Sequence, residues 1–180
     1  MSAPDTYPSD TTLHFLRTAF PEEWRESPLG EAAVAAWEEE NGVTLPEPYR
    51  TFVAEISNGS ALGPAGDGGL QPLGVLPDGW PDLGPRRPGA PFPLDAAWNW
   101  EDDETVDPDG DPRTDAAYND GSVVLGSEDG ATYWLLVTAG PRRGEVWMAG
   151  DVGAAPAPGD VAWGFEEWVR HWHAGHEWWD

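Results

Sequence analysis

The chain is predicted to fold as an α+β domain: a bent antiparallel β-meander sheet with N-terminal helices and a C-terminal helix packed on it. Three observations predict this. Between Gly121 and Met148 lie three runs of β-branched and aromatic residues, Ser122–Leu125, Ala131–Thr138 and Glu145–Met148, separated by turn residues at Gly126–Gly130 and Ala139–Gly144. That pattern is the signature of consecutive strands joined by short connections. The middle run, Thr132-Tyr-Trp-Leu-Leu-Val137, is apolar on both pleat faces. A strand with one wet face alternates, so this one is central and carries a layer on each side. Helical spacing of apolar residues (i, i+3, i+4, i+7) flanks the block, at Tyr49, Phe52, Val53 and Ile56 before it and at Phe165, Trp168, Val169 and Trp172 after it.

The first ten residues are polar and proline-containing and predict a loose tail. A short helix follows with Leu13, Leu16 and Phe20 on one face and Pro21 near its end. Ser27-Pro28 reads as an N-cap with proline in the first turn. Leu29, Ala32, Ala33, Ala36 and Trp37 then recur at helical spacing until Asn41-Gly42 supplies the stop. Glu38 to Glu40 sit at the unfavourable end of that helix dipole, which predicts that they face water. Thr44-Leu-Pro-Glu47 has the form of a capping box opening the helix over Thr44–Ile56, and Asn58-Gly59 closes it with the residues that best tolerate a left-handed backbone.

From Ser60 to Pro93 glycine and proline dominate. Only Leu70–Leu76 has the character of a strand, and Pro72 places it at an edge. Pro77–Pro93 reads as a long surface connection. Residues 95–120 hold ten acids against one arginine, interrupted by Trp98 and Trp100, and predict an exposed, mobile acidic loop inserted in the domain. Gly150–Asp160 reads as a further linker, and Gly164 caps the last helix with Glu166 and Glu167 at its favourable end.

At 180 residues the chain is read as a single domain. It has no cysteine, which removes disulfides, thiol nucleophiles and thiolate metal sites. Neither a signal-peptide pattern nor an apolar run of membrane-spanning length occurs, which points to the cytoplasm. Thirty-three acids face nine arginines and no lysine, a net charge of −24. Such a surface repels nucleic-acid phosphates and anionic lipid, so neither nucleic acid nor membrane is an expected partner, and a basic protein is. A general solubility bias would give the same charge. Twelve tryptophans are more than a surface carries without function, so most of them belong to the core.

The order of parts resembles the SUKH superfamily, known as immunity domains of bacterial polymorphic toxin systems and including a yeast cell-wall assembly regulator. The residues that carry the resemblance are Leu45-Pro46, Tyr49, Phe52, Asn58-Gly59, the strand Tyr133-Trp-Leu-Leu-Val137, the strand Gly144-Glu-Val-Trp147, and Phe165 with Trp168 on the last helix. It spans roughly Leu29 to Trp172. Ser60 stands where many members have a glycine or an aromatic, and residues 95–120 look like a subfamily elaboration. The resemblance implies helices packed on a bent sheet and a binding role without catalytic residues.

Signals for chemistry are weak. In His171-x-His173-x-x-His176, positions 171 and 173 point about 200° apart on a helix, leaving only His173 and His176 on one face unless Gly175 turns the chain back. The tail therefore reads as aromatic packing before it reads as a metal site. Asp107-Pro-Asp-Gly-Asp111 opens like a calcium loop but has Pro112 and Tyr118 where such loops need glycine and glutamate. Gly63–Gly69 lacks the lysine and helix of a phosphate cradle, and no Gly-x-Ser-x-Gly occurs. His14 reads as a helix histidine without a base's role, and no spacing among the many carboxylates singles out an acid and a nucleophile. No catalytic, cofactor or metal residue is assigned.

Trp98 and Trp100 stand apart, a rigid aromatic pair inside a polar segment. They are either anchors of the acidic segment or interaction hot spots ringed by steering charge. The candidate partner-binding residues are accordingly Trp98, Trp100, Asp102, Asp103, Asp107, Asp109 and Asp111. Three functions follow in order: an immunity protein neutralising a cognate intracellular, nucleic-acid-acting toxin; a regulatory module with an endogenous partner; and an enzyme.

Overall fold

The computed structural model describes residues 5–66, 68–157 and 162–178. Its centre is a five-stranded sheet of β1 (Trp98–Asn99), β2 (Ser122–Ser127), β3 (Tyr133–Val137), β4 (Val146–Ala149) and β5 (Gly153–Pro156), in the order β1-β5-β4-β3-β2. Every pairing is antiparallel. The expected meander is there, extended by two strands that the sequence presents as linker and loop. Gly153–Pro156 pairs with β4, and Trp98–Asn99 pairs in turn with β5.

β3 is interior and buried throughout, as its unbroken apolar run predicts. Its side chains divide between two cores. Trp134 and Leu136, with Val123, Leu125 and Val146, face the helices. Tyr133, Leu135 and Val137, with Val124, Trp147 and Ala154, face the opposite way. The first face is covered by α1 (Asp10–Ala19), by α3 (Tyr49–Thr51, continuing as a π-helical turn over Phe52–Ile56) and by α5 (Phe165–His173). Leu16, Phe20, Phe52, Phe165 and Trp168 there are all but fully buried. Membrane-spanning length and hydropathy are absent from every helix among the described residues.

The second face corrects the reading of residues 77–120. The stretch does run over the surface, and residues 101–110 are mostly exposed, but it is not loop throughout. Phe92, Trp100, Ala117 and Tyr118 are buried on the sheet, with Trp80, Leu83, Leu94 and Val106 half-buried around them. The segment contains β1 and a helix, α4 (Pro112–Asn119). Its proline-rich part is stitched down by backbone bonds: Arg87 N–H donates to Asn119 O at 2.8 Å, Gly121 N–H to Arg87 O at 2.9 Å, and Phe92 N–H to Ala139 O at 3.0 Å. The Thr138 hydroxyl adds a bond to Pro88 O at 2.7 Å. Gly121 is required here, because its φ is 67° and a Cβ would fall onto the Phe92 backbone amide. Composition misleads because ten acids conceal a few well-placed apolar side chains and many backbone partners.

Smaller corrections have local causes. α2 spans Glu31–Asn41 behind a Gly30 N-cap, not a Ser27 cap, because Leu29 and Gly30 N–H groups donate to Val53 O and Ala54 O and hold that stretch extended. Its phase differs accordingly: Val34 is buried, while Ala32, Ala33 and Ala36 are exposed. Glu38 is not free in water. Its carboxylate accepts Leu45 N–H at 2.7 Å and pairs with Arg50 at 2.9 Å, and Arg50 also grips Glu31. Gly42, at φ 64°, ends the helix as predicted. The helix expected from Thr44 begins at Tyr49, and Glu47 caps it directly by accepting Thr51 N–H at 2.8 Å. The Leu70–Leu76 strand reduces to one bridge between Ser60 and Leu70. Of the predicted loose tail, residues 1–4 lie outside the described residues. Residues beyond them are tied down, with the Tyr7 hydroxyl donating to Glu55 at 2.7 Å and Ser9 capping α1.

Candidate functional site

The acidic segment is folded by its own carboxylates. Asp111 is the N-cap of α4: it accepts Arg113 N–H at 2.9 Å, with Pro112 in the first turn. It also pairs with the Arg113 guanidinium at 2.8 Å, and that bonding holds its carboxyl well below the usual carboxylate range. Arg113 in turn donates to Thr105 O and lies 5.5 Å over the Trp98 ring. Asp103 accepts from the Thr105 hydroxyl at 2.6 Å, from Thr105 N–H at 2.9 Å and from Trp98 Nε1 at 3.0 Å, which likewise lowers its carboxyl. The stretch resembling a calcium loop is a turn leading into this cap, with Asp109 N–H donating to Asp107 and Asp107 N–H to Asp111. An Asp-Pro pair of this kind is a helix-start signal, and it is the cue in the sequence that α4 exists.

Folding the segment this way leaves a cleft of about 770 Å³ between the 100–118 stretch, the turn before β3 and Asp151. Four of the sequence-predicted residues line it together: Trp100, Asp103, Asp107 and Asp111. Trp98 lies beside it, half-buried, on a second groove of about 1240 Å³ that shares Asp151 with the cleft. Asp102 and Asp109 are exposed and line neither. Two expectations are corrected in detail. Trp100 is an anchor, only 7% exposed, with its indole N–H donating to Asp151 O at 2.7 Å. Asp111 is 6% exposed and is consumed by its cap and ion pair.

The sequence reading missed other residues of the cleft. Glu101, Glu104, Asp115 and Asp151 line it and have neither ion pair nor side-chain hydrogen bond among the described residues. Tyr118 and Tyr133 complete its wall. Tyr133 donates its hydroxyl to Gly79 O at 2.7 Å, whereas the Tyr118 hydroxyl has no hydrogen-bond partner among the described residues. Burial first, and the nearby charge of Asp151 second, raise the Tyr118 hydroxyl so that it stays protonated. No alternation or motif marks these residues, because they converge from the turn at Glu101–Glu104, from α4, from β3 and from the turn at Asp151.

The chemistry of the cleft is electrostatic. Its two shifted carboxyls, Asp103 and Asp111, are both held on the ionised side; the Asp111 charge is matched by Arg113, while Asp103 has no ion pair among the described residues. This suits recognition of a cation better than proton transfer, which needs a carboxyl poised near neutral pH.

The histidine tail packs among aromatic rings, and the helix does not continue through it to put His173 and His176 on one face. Gly175 (φ 78°) turns the chain back, so that His176 meets His171 at 5.0 Å while His173 packs on Phe15. His171 stacks on Trp178 at 4.9 Å, and one of its ring nitrogens bonds Glu177 O at 2.8 Å. No cluster of three or more His, Asp or Glu residues able to hold a metal ion occurs among the described residues.

A family model described as the SMI1 / KNR4 family (SUKH-1) matches residues 28–171. Nothing matches the chain among curated proteins or among solved structures. The matched span takes in every strand, the second core and the first core apart from Leu13, Leu16, Ala19 and Phe20, ends within α5, and includes the acidic segment that forms the cleft. The chain therefore belongs to the SMI1/KNR4 (SUKH-1) family.

Proposed function

We propose that this protein is a non-catalytic, protein-binding immunity domain that neutralises a basic, nucleic-acid-acting toxin through the acidic face formed by residues 98–118 and Asp151. The observation that carries the reading is a cleft whose carboxylates are either held ionised by local hydrogen bonds or left without an internal cation. An enzyme acting on nucleic acid needs a basic cleft for phosphate, and a chain of net charge −24 is its electrostatic complement. Family membership supports an immunity or regulatory role of this kind.

The test is co-expression with the product of the adjacent gene, scored by host survival and by binding kinetics. Glu101→Gln, Glu104→Gln and Asp151→Asn together remove free charge from the cleft without touching the bonds that fold it. Asp102, Asp107 and Asp109 changed to Asn form a second set on the exposed part of the segment, where asparagine keeps an oxygen to accept the bonds from Asn99 to Asp102 and from Asp109 N–H to Asp107. Either set should slow association on the order of tenfold at low salt and flatten its salt dependence. Wild-type association by both sets, or a toxin partner that is acidic, would refute the assignment.

A further inference from the structure

We infer that the cleft seats an arginine side chain of the partner, its guanidinium laid against the Trp100–Tyr118 wall and paired with Asp151 and Glu101. This rests on the reading above of a basic protein partner and names the group that the partner presents. Three independent features of the cleft select that group.

The first is the wall. Trp100 and Tyr118 stand with ring centroids 5.8 Å apart and both line the cleft. The Trp100 indole N–H is already bonded to Asp151 O, so the small part of that ring left open to the cleft presents aromatic carbon and no free donor. A planar, weakly hydrated guanidinium stacks on such surfaces, while an ammonium keeps its water. The second is the orphaned hydroxyl. Tyr118 is 7% exposed and its hydroxyl is unpartnered among the described residues. The hydroxyl itself reaches the cleft rather than being sealed off, and its lone pairs suit an N–H donor arriving from outside. The third is the charge. Asp151 and Glu101 are exposed and uncommitted. The cation of the acidic segment, Arg113, is occupied by Asp111, Thr105 and the Trp98 ring. Arg86 lies over Trp80, where its two terminal nitrogens donate to the Ser122 and Tyr118 carbonyl oxygens and the Ser122 hydroxyl, while its Nε is buried without a partner among the described residues. A fork of five N–H donors meets this set of carboxylates, hydroxyl and aromatic face at once.

The probe is the tripeptide acetyl-Gly-Arg-Gly-amide, titrated into the full chain and followed by amide NMR, with the citrulline and lysine tripeptides as controls. Citrulline keeps the shape and loses the charge. The expected result is saturable binding in the millimolar range, with shifts centred on residues 100–118, 130–133 and 151. Citrulline should bind at least about tenfold more weakly, and Tyr118→Phe with Asp151→Asn should weaken the arginine peptide about fivefold or more. Neither substitution removes core volume, so the variant keeps the fold for the comparison. Equal binding of citrulline or lysine, shifts elsewhere on the chain, or no effect of the double variant would overturn the inference. A basic toxin that binds wild type and the double variant equally would overturn the arginine seat and leave the immunity reading standing. Arginine seating in a chain that captures no basic partner would keep the seat and remove the immunity reading.

Discussion

The sharpest consequence of the fold concerns two neighbouring tryptophans that the sequence presents as equals. Trp100→Ala removes a side chain that is 7% exposed, packs against Tyr118 and Trp98, and donates to Asp151 O. Losing a buried aromatic of this kind costs about 3–5 kcal/mol, since the remaining wall cannot collapse onto a space that β1 and α4 hold open. For a chain of this size each kcal/mol moves the thermal midpoint by about 2–4 °C, so the loss corresponds to a fall of about 6–20 °C. Trp98→Ala removes a half-buried ring, one hydrogen bond to Asp103 and the stacking of Arg113. Those surface-adjacent contacts are worth about 1–2 kcal/mol together, a shift of about 2–8 °C. The assay is thermal and urea denaturation of both variants by far- and near-ultraviolet circular dichroism. Near-ultraviolet signal matters because it reports the aromatic wall directly. If Trp100→Ala melts within about 2 °C of wild type, the second core is not a core and residues 77–120 are a detachable loop after all.

Three further outcomes follow. Phe52→Ala or Trp168→Ala, both fully buried between the helices and the sheet, should each cost about 3–5 kcal/mol, read from urea midpoints; a loss below about 1 kcal/mol would contradict that layer. Asp103, Asp111 and Asp129 have carboxyls lowered by hydrogen bonds, from Thr105, from Arg113 and from the Ala131 and Thr132 amides respectively. Their stabilising contribution is complete above the unfolded carboxyl value of about 4 and is lost as pH falls through the lowered folded values. Thermal midpoints should therefore drop between about pH 4 and pH 2, and Asp111→Asn should reduce that drop; a flat profile would refute the linkage. Exhaustive chelation should leave the midpoint unchanged, because His171 is spent on stacking and on Glu177 O while His173 points to Phe15; a fall that zinc or calcium restores would show a metal site.

Much of this molecule was legible from local pattern. The strand Tyr133–Val137 carries its two-sided burial in its composition, because no residue in it tolerates water. The stripe Phe165, Trp168, Val169, Trp172 and the stops at Gly42 and Gly175 depend on periodicity and backbone conformation, which act within a few residues. Those features, with the order of the parts, also sufficed for the family. What covers the far side of the sheet was decided only by tertiary structure. Phe92, Trp100, Ala117 and Tyr118 are scattered through a stretch that averages as polar, and each is buried by a strand distant in sequence. Gly153–Pro156 becomes a strand because β4 and β1 offer it hydrogen bonds, not because its residues prefer that conformation. The cleft follows the same rule. Charge is additive and visible in any count of residues, so an acidic face was foreseeable. Which carboxylates are spent on capping, as Asp111 is, and which stay free, as Asp151 does, depends on donors delivered by the fold.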